Sequence, residues 1–318
     1  MEEIKLDLKD KKILSVIETD GRLSYAEIGK RVGLSKQLVK YKMDLLEKKD
    51  IIQEYYAIVN DSKIGKEIYQ VYLQTFDLAD SDERKLISEL KKQKSVLSYF
   101  SSLGKFDLVL AFAVESLVDL EKILQKVLKP IGSKIKKRVV TSEISFSYLP
   151  SKVFSDLGKN ETSVVFGNSI KFDELDLSIV SELMVSGRVT LVDLAGKLGL
   201  TANGIRERLK SLEKRKIIVG YKTKINYEKL GFFHCDIFVW INNLTPELYE
   251  KIKDFLAKDG RVESVARFFG YSDLEFRCNI RTIGELYQLK KSLKREFSEV
   301  GSVETLFVIR SGISHLRS

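Results

Sequence analysis

Apolar residues recur three or four positions apart in two stretches that lie 166 residues apart, Ser35–Glu47 and Thr201–Glu213. Each stretch begins with a hydroxyl residue, which can accept a hydrogen bond from a free backbone N–H at a helix start. The spacing predicts two helices that are each buried along one narrow stripe, with the other faces in solvent. The predicted buried positions are Val39, Met43 and Leu46 in the first stretch and Ile205, Leu209 and Leu212 in the second.

A shorter helix is predicted directly before each of these stretches. Ser24 and Glu27 have the spacing of a capping box, and Gly33 ends the helix that they open. In the second copy Thr190 begins the helix and Gly199 ends it. A short helix, a glycine turn and a second helix form a helix-turn-helix, although an ordinary helical hairpin has the same pattern.

The similarity between the two copies continues without a gap from Ile4 and Ile170 toward the end of the chain. Gly21-Arg22 matches Gly187-Arg188, and more than 80 residues downstream Gly104 and Asp107 match Gly270 and Asp273. An internal repeat of this length predicts a duplicated module of two domains. The predicted domains are residues 1–60 and 170–226 (helix-turn-helix) and residues 61–150 and 227–318, with residues 151–169 as the linker.

The second domain of each module alternates strand and helix patterns in the order βαββαβ, which is typical of a ferredoxin-like sheet with two helices on one face. A β-branched stretch, Ile51–Val59 or Ile217–Ile225, joins it to the helix-turn-helix and is predicted to be a strand. Strands such as Val109–Val114 and Ile237–Ile241 are apolar on both sides. Both faces of each sheet must therefore be buried, so each sheet needs a partner.

The formal charge of the 318-residue chain is +9, which favours an anionic partner. Basic residues are concentrated in the two predicted helices, with five in Lys36–Lys49 and six in Arg206–Lys216. Basic and amide groups on a helix held by one buried stripe suit the major groove of DNA, although a solvated charged face is the simpler interpretation. The candidate DNA-binding residues are Ser35, Lys36, Gln37, Lys40, Tyr41, Lys42, Thr201, Asn203, Arg206, Arg208 and Lys210.

The two faces differ at equivalent positions, since Lys40 corresponds to Arg206 and Gln37 to Asn203. Arginine can bind guanine with two hydrogen bonds and asparagine can do the same with adenine, whereas lysine mostly contacts phosphates. We therefore expect the second unit to contribute more base-specific recognition, and the preferred DNA site to be asymmetric.

Other classes of chemistry find little support in the sequence. Only Cys235 and Cys278 are present, so neither a disulfide framework nor a four-cysteine zinc site is predicted. His234 and Cys235 are adjacent on a predicted strand and point to opposite faces, so no metal site is expected there. The chain has no apolar run of about 20 residues, so we expect no membrane association and a cytoplasmic location.

The order of helix-turn-helix, linking strand and βαββαβ domain resembles the leucine-responsive regulator (Lrp/AsnC) family of bacterial and archaeal transcription factors. The matching residues include Gly21–Ser24, Ile28–Ser35, and the Gly-x-x-Asp turns at Gly104–Asp107 and Gly270–Asp273. The resemblance implies an α+β fold, with two winged-helix-like domains alternating with two ferredoxin-like effector-binding (RAM) domains. It also implies a sequence-specific regulator of transcription that binds double-stranded DNA and needs no cofactor.

The resemblance makes the two turns candidate effector sites, with Gly104, Asp107, Gly270 and Asp273 as their residues. A glycine turn exposes backbone N–H groups that can hold a carboxylate, and an aspartate can accept an amino group, so an amino-acid effector is possible. A plain β-hairpin turn favours the same residues. Because members of the family usually pair through these sheets as dimers, we expect the two RAM domains to pair within the chain. Pairing of equivalent domains between two chains, and a larger homo-oligomer, are the alternatives.

Two other functions are compatible with the sequence. An architectural protein would coat DNA with little sequence preference. Siroheme decarboxylases resemble this family in fold order and depend on histidine and arginine, but this chain has only His234 and His315. We therefore expect no enzyme activity.

Overall fold

The computed structural model describes residues 4–155, 157 and 161–312. His315 and the last residues of the second predicted RAM domain lie outside this part of the chain. The first module contains α1 (Leu8–Thr19), α2 (Tyr25–Val32), α3 (Lys36–Lys48), β1 (Ile52–Val59), β2 (Glu67–Thr75), α4 (Asp80–Leu90), β3 (Val96–Leu103), β4 (Leu108–Val114), α5 (Leu117–Val127) and β5 (Ile135–Tyr148). These bounds confirm the predicted element order.

A short strand, β6 (Thr162–Val165), follows in the linker, where the sequence predicted no strand. The second module repeats the first as α6 (Glu174–Val185), α7 (Leu191–Leu198), α8 (Ala202–Lys214), β7 (Ile218–Ile225), β8 (Phe233–Ile241), α9 (Pro246–Lys258), β9 (Val262–Phe269), β10 (Leu274–Ile280), α10 (Ile283–Glu296) and β11 (Val300–Gly312). β6 pairs with the end of β5, so this part of the linker belongs to a sheet.

The two RAM domains share one continuous hydrogen-bonded sheet. Each has the ferredoxin-like strand order, β5-β2-β4-β3 in the first and β11-β8-β10-β9 in the second. The long strands join the two, because β11 pairs with both β8 and β3 while β5 pairs with both β2 and β9. The strands therefore close into a circuit, and its inner surface contains an aromatic cluster made by both modules.

The outer face of each RAM sheet is covered by its own two helices. Leu86 and Leu124 of the first module, and Ile252 and Leu289 of the second, are buried against the strands. The apolar character of both sides of the central strands is thereby satisfied, one side by helices and the other by the opposite module. This confirms the α+β fold class.

The helix-turn-helix units are joined by a second, two-stranded sheet in which β1 and β7 run antiparallel. The sequence predicted both strands but not their pairing. Each unit also completes its core with residues from the other module. Ile225, Tyr227 and Leu230 enter the core of the first unit, while Ala57, Val59 and Ile64 enter the core of the second.

Candidate nucleic-acid interface

Helices α3 and α8 have the predicted anchoring. The Ser35 hydroxyl accepts a hydrogen bond from the Leu38 N–H at 3.2 Å, and the Thr201 hydroxyl accepts one from the Gly204 N–H at 3.0 Å. Both caps satisfy a backbone donor that a helix start leaves free. The predicted stripes are buried and consist of Val39, Met43 and Leu46 in α3, and Ile205, Leu209 and Leu212 in α8.

Most of the predicted DNA-binding side chains are exposed on the outer faces of the two helices. They are Ser35, Lys36, Gln37, Lys40 and Tyr41 on the first unit, and Thr201, Asn203, Arg206 and Lys210 on the second. Lys40 pairs with Asp44 at 2.6 Å and Lys210 with Glu207 at 3.0 Å. Such exposed pairs contribute little to stability, so these ammonium groups can turn to phosphates at small cost.

Lys42 and Arg208 were expected on the exposed faces, but Lys42 keeps only 12% of its side-chain exposure and Arg208 35%, because each pairs with two aspartates. Contact of either residue with DNA stays a prediction. Lys42 Nζ lies 2.7 Å from Asp7 and 2.8 Å from Asp10, at the start of α1. Arg208 Nη1 makes the equivalent pairs at 2.8 Å with Asp173 and Asp176 of the second unit. The hydrogen bond from Lys42 lowers the pKa of Asp7 to about 2. These two cations therefore hold each recognition helix to its own first helix.

The repeated Gly-Arg pair connects the two units, a role that the sequence did not predict. Arg22 donates hydrogen bonds to the carbonyl oxygens of Gly187 and Val189, and Arg188 donates one to the carbonyl of Gly21 at 2.9 Å. The Gly21 N–H donates to the backbone carbonyl of Tyr221 across the same junction, and the Gly187 N–H donates to the backbone carbonyl of Tyr55. The exact repetition of Gly-Arg at an offset of 166 was the signal that could have revealed this reciprocal contact.

Gly21 and Gly187 leave no space for a side chain. A Cβ on Gly21 would lie 2.6 Å from the Lys222 carbonyl oxygen, and a Cβ on Gly187 would lie 2.7 Å from the Tyr56 amide nitrogen. Each turn between the first two helices therefore contacts the backbone of the other module's linking strand directly. Together with the β1–β7 ladder, these contacts fix how the two recognition helices lie relative to each other.

The candidate effector turns are closely packed. One Asp107 carboxylate oxygen accepts the Thr75 N–H at 2.6 Å, and one Asp273 oxygen accepts the Ile241 N–H at 2.7 Å. Each aspartate thus ties its turn to the neighbouring strand. Gly104 and Gly270 have φ angles of 149° and 136°, and each faces the last strand of the opposite module.

The middle residues of these turns point into the space between the sheets. Phe106 is fully buried, and its ring centroid lies 5.1 Å from that of Tyr271. Lys105 Nζ lies 3.1 Å from a Glu304 carboxylate oxygen and 5.1 Å from the centroid of the Tyr271 ring. Side chains of the protein therefore occupy the region between the two turns.

His234 lies at the edge of a polar cluster that the sequence did not reveal. Its Nδ1 lies 3.0 Å from Asn279 Oδ1, and Lys222 Nζ lies 3.1 Å from Glu263. Burial by itself would raise the pKa of Glu263, but Lys222, His234 and Arg277 lower it to about 2. Cys235 points the other way, into the core, as alternation along a strand requires.

Within the described residues, no group of three or more histidine, cysteine or acidic side chains has the geometry to hold a metal ion. In the same part of the chain, no helix combines the length and apolar character that crossing a bilayer requires.

Comparison with known folds finds the whole two-module arrangement in one enzyme. The siroheme decarboxylase NirDL superposes with a TM-score of 0.62, covering 96% of this chain and 94% of that chain at 14% sequence identity. At this level of identity the similarity concerns the fold alone. It shows that the paired arrangement of two modules in one polypeptide exists in a solved structure.

Sequence families match the two DNA-binding units separately. Residues 6–53 match the winged helix-turn-helix DNA-binding family, and residues 172–213 match the AsnC-type helix-turn-helix domain. The uncharacterized HTH-type transcriptional regulator PH0140 of Pyrococcus horikoshii is 30% identical over 148 residues, which is 46% of this chain and 92% of that protein. The regulator LrpA of Mycobacterium tuberculosis is 38% identical over 74 residues, 23% of this chain and 49% of that protein. The chain therefore belongs to the Lrp/AsnC family of DNA-binding transcriptional regulators, as two copies of the family's module in one polypeptide.

Proposed function

We propose that this regulator acts as a covalent pseudo-dimer, in which one chain presents both recognition helices to two half-sites of double-stranded DNA. The observation that carries the proposal is the reciprocal contact of Arg22 and Arg188 across the junction, since it ties the two units into one rigid body. In two-fold helix-turn-helix dimers the half-sites lie about one helical turn apart, roughly 34–36 Å, or a multiple of that. The two units of this proposal are the helix-turn-helix domains predicted from the repeat, residues 1–60 and 170–226.

The two half-sites are proposed to differ in sequence. At equivalent positions the first helix carries Lys40 and the second carries Arg206, whose Nη1 lies 3.2 Å from Asn203 Oδ1. An arginine and an asparagine side by side can address guanine and adenine edges, whereas a lysine next to a glutamine is less discriminating. The second unit would then supply most of the base recognition and the first unit most of the phosphate contacts.

Selection of binding sites from a random double-stranded DNA library tests this directly. We expect an asymmetric site with one strongly and one weakly specified half, and affinity that falls steeply with salt. A site with two matched halves would contradict the assignment of roles. Equal affinity for selected and scrambled DNA would instead favour the architectural alternative.

Intrachain pairing of the RAM domains is part of the proposal, and complementary contacts support it. The Tyr72 hydroxyl donates to the Glu275 carboxylate at 2.8 Å, whereas the mirror-related positions are occupied by Phe238 and Val109. Pairing of two second modules would place buried Glu275 opposite Phe238. A buried polar group left without its partner costs about 1–3 kcal/mol.

A disulfide across the β3–β11 ladder distinguishes the arrangements. Ser102 and Val308 are register partners, so Ser102→Cys combined with Val308→Cys should cross-link on oxidation. Intrachain pairing predicts a product that migrates as a single chain on a non-reducing gel, at nanomolar as well as micromolar concentration. Disulfide-linked dimers in the double variant would contradict it, and each single variant is the control.

An amino-acid effector at the turns Gly104–Asp107 and Gly270–Asp273 stays a prediction. Calorimetric titration with the common amino acids tests it, and Asp107→Asn and Asp273→Asn identify the turn. Because both aspartates also stabilise their turns, a thermal melt of each variant must show that it is folded before its titration is interpreted. Failure of every amino acid to bind would remove this effector class.

We also propose that the chain acts through DNA and not as an enzyme. Incubation with siroheme under reducing anaerobic conditions tests the decarboxylase alternative, which the shared fold makes worth examining. Release of carbon dioxide that depends on His234 would overturn the proposal. His234→Asn is the suitable variant, since the amide can still bond to Asn279.

A further inference from the structure

A cavity of about 230 Å³ lies between the first helix-turn-helix unit and the second RAM domain. The N-terminal segment forms one wall, held there because the Ile4 N–H donates to the Lys229 carbonyl at 3.1 Å. The start of α1 forms the second wall and the linker forms the third. The lining residues that are apolar are Ile4, Leu6, Val153, Phe154, Leu230 and Phe232.

The floor of this cavity is aromatic and rigid. Phe154 stacks on Tyr227 with ring centroids 5.6 Å apart and an interplanar angle of 15°, and Phe232 packs edge-on against Tyr227 at 5.9 Å. Phe154, Leu230 and Tyr227 are all at least nine-tenths buried. Ligand pockets of this kind are mostly apolar, with a few polar groups that fix the orientation of the ligand.

Among the described residues that line the cavity, all the charged side chains are cations. They are Lys5, Lys11 and Arg281, and each is exposed at the rim. The Arg281 guanidinium carbon lies 4.2 Å from the centroid of the Phe232 ring, so this cation is held directly over the aromatic floor. Within the described residues, neither Lys5 nor Lys11 has an ion-pair partner.

The mirror-related crevice of the first module has a different character. It measures about 380 Å³, and the charged residues of the described lining are three glutamates, Glu67, Glu115 and Glu143, and Lys66. The repeat places Glu115 at the position of Arg281 and Lys66 at the position of Phe232. The combination of an aromatic floor and a cationic rim is therefore specific to the crevice of the second module.

We propose that this cavity binds a small monocarboxylate with an apolar, ring-sized body. The body would replace water on Phe154 and Phe232, and the carboxylate would lie at the rim between Arg281 and Lys11. Arginine is well suited to carboxylates because its planar guanidinium can donate two parallel hydrogen bonds. The site is separate from the Gly-x-x-Asp turns, which lie at the other ends of the strands.

Occupancy would also affect the DNA-binding unit. Lys11 belongs to α1, whereas Arg281 follows β10 of the second RAM domain, so one carboxylate would link the two bodies. A bound ligand would restrict the movement of the first unit relative to the sheet. This consequence rests on the proposed function, whereas binding itself does not.

Calorimetry in the absence of DNA tests the site, with indole-3-acetate and phenylacetate as probes and indole-3-acetamide as the uncharged control. We expect both acids to bind with one site per chain, and the amide to bind at least tenfold more weakly. Arg281→Glu should weaken the binding of the acids at least tenfold. The matched control is Glu115→Gln in the mirror crevice, which should leave their affinity unchanged. Thermal melts check that both variants fold.

Three outcomes would overturn the proposal: no binding of either acid, equal binding of acid and amide, or unchanged affinity in Arg281→Glu. Should Arg281→Glu fold poorly, Lys11→Glu at the exposed start of α1 provides a second test with the same expected loss. DNA affinity is then measured with and without the acid that binds. A chain that binds the acid but no DNA would contradict the proposed function while the ligand site stands.

Discussion

The two places where the modules meet differ in symmetry. At the junction of the helix-turn-helix units, the same contacts occur twice: Gly-Arg meets Gly-Arg, and each linking strand pairs with the other. Between the RAM sheets the backbone ladders also occur twice, but one buried side-chain contact occurs once, since Tyr72 bonds to Glu275 while the mirror pair is Phe238 and Val109.

This difference follows from what each surface must do. In a two-fold symmetric homodimer every contact across the interface occurs twice. A single acid–hydroxyl pair therefore cannot form there without its symmetry-related copy. A fused chain is free of that requirement, and its inner sheets have become complementary instead of self-complementary. Duplex DNA keeps its own approximate two-fold symmetry, and the junction that sets the spacing of the two helices has stayed symmetric with it.

The largest effect is expected at the symmetric junction. Gly21→Ala combined with Gly187→Ala introduces two methyl groups less than 3 Å from backbone atoms of the opposite module. We expect the free energy of unfolding to fall by up to about 3 kcal/mol, measured by urea denaturation, because neither strand can move without breaking the β1–β7 ladder. Affinity for DNA with both half-sites should fall far more than affinity for one half-site. The double change Gly167→Ala and Gly132→Ala, where space is open, is the control.

The next prediction concerns the asymmetric interface. Burial raises the pKa of Glu275 to about 8, and the nearby Asp236 adds to the shift against hydrogen bonds from Tyr72 and Ser272. Because the folded state holds the proton more tightly, the stabilisation is complete below the unfolded pKa and is lost as the pH rises toward 8. Lowering the pH from 8 to 6 should therefore raise the free energy of unfolding by about 2 kcal/mol from this group.

Glu275→Gln identifies the contribution of that carboxyl. The variant should lose this part of the pH dependence, measured by denaturation at pH 6, 7 and 8. Glu18, whose pKa burial raises to about 7, should still contribute a smaller rise of the same sign. An unchanged pH profile in Glu275→Gln would mean that the carboxyl is not buried in solution.

The recognition helices offer a comparison of two equivalent positions. Arg206→Ala should reduce discrimination between the selected base and its competitors by roughly 1–2 kcal/mol, whereas Lys40→Ala should weaken all sequences alike. Binding to a set of single-base variants of the selected site, at fixed salt, measures both. Loss of discrimination in Lys40→Ala of the same size would remove the difference between the two units.

The smallest effect is expected at the cations that hold each recognition helix to its first helix. Lys42→Met should cost about 1 kcal/mol of stability, because Asp7 is more than half exposed and Asp10, although largely buried, keeps the hydrogen bond from the Asp7 N–H. Thermal denaturation measures this, and the equivalent change Arg208→Met should behave similarly. If Lys42→Met lost DNA affinity without losing stability, Lys42 would contact DNA after all.

The sequence was sufficient to predict the helices and strands, but not the contacts between them. Periodicity and glycine positions identified α3, α8 and both βαββαβ domains, since those signals are local. The placement of Lys42 failed because its position on the helix is right but its long side chain reaches back to α1. The reciprocal Arg22 contacts depend on the approach of the two modules. The polar cluster at His234 joins residues of the second module that lie far apart along the chain, and strand β6 depends on its pairing with β5. No local pattern encodes these contacts.

The exchange of core residues between the modules has a consequence for synthesis on the ribosome. The first helix-turn-helix unit needs Tyr227 and Leu230 to complete its interior, and these are translated about 170 residues after its end. The first unit must therefore wait, incompletely packed, until the second helix-turn-helix unit has been translated. Separate production of the two halves would yield fragments that each lack part of a core, and that recover it only when they meet.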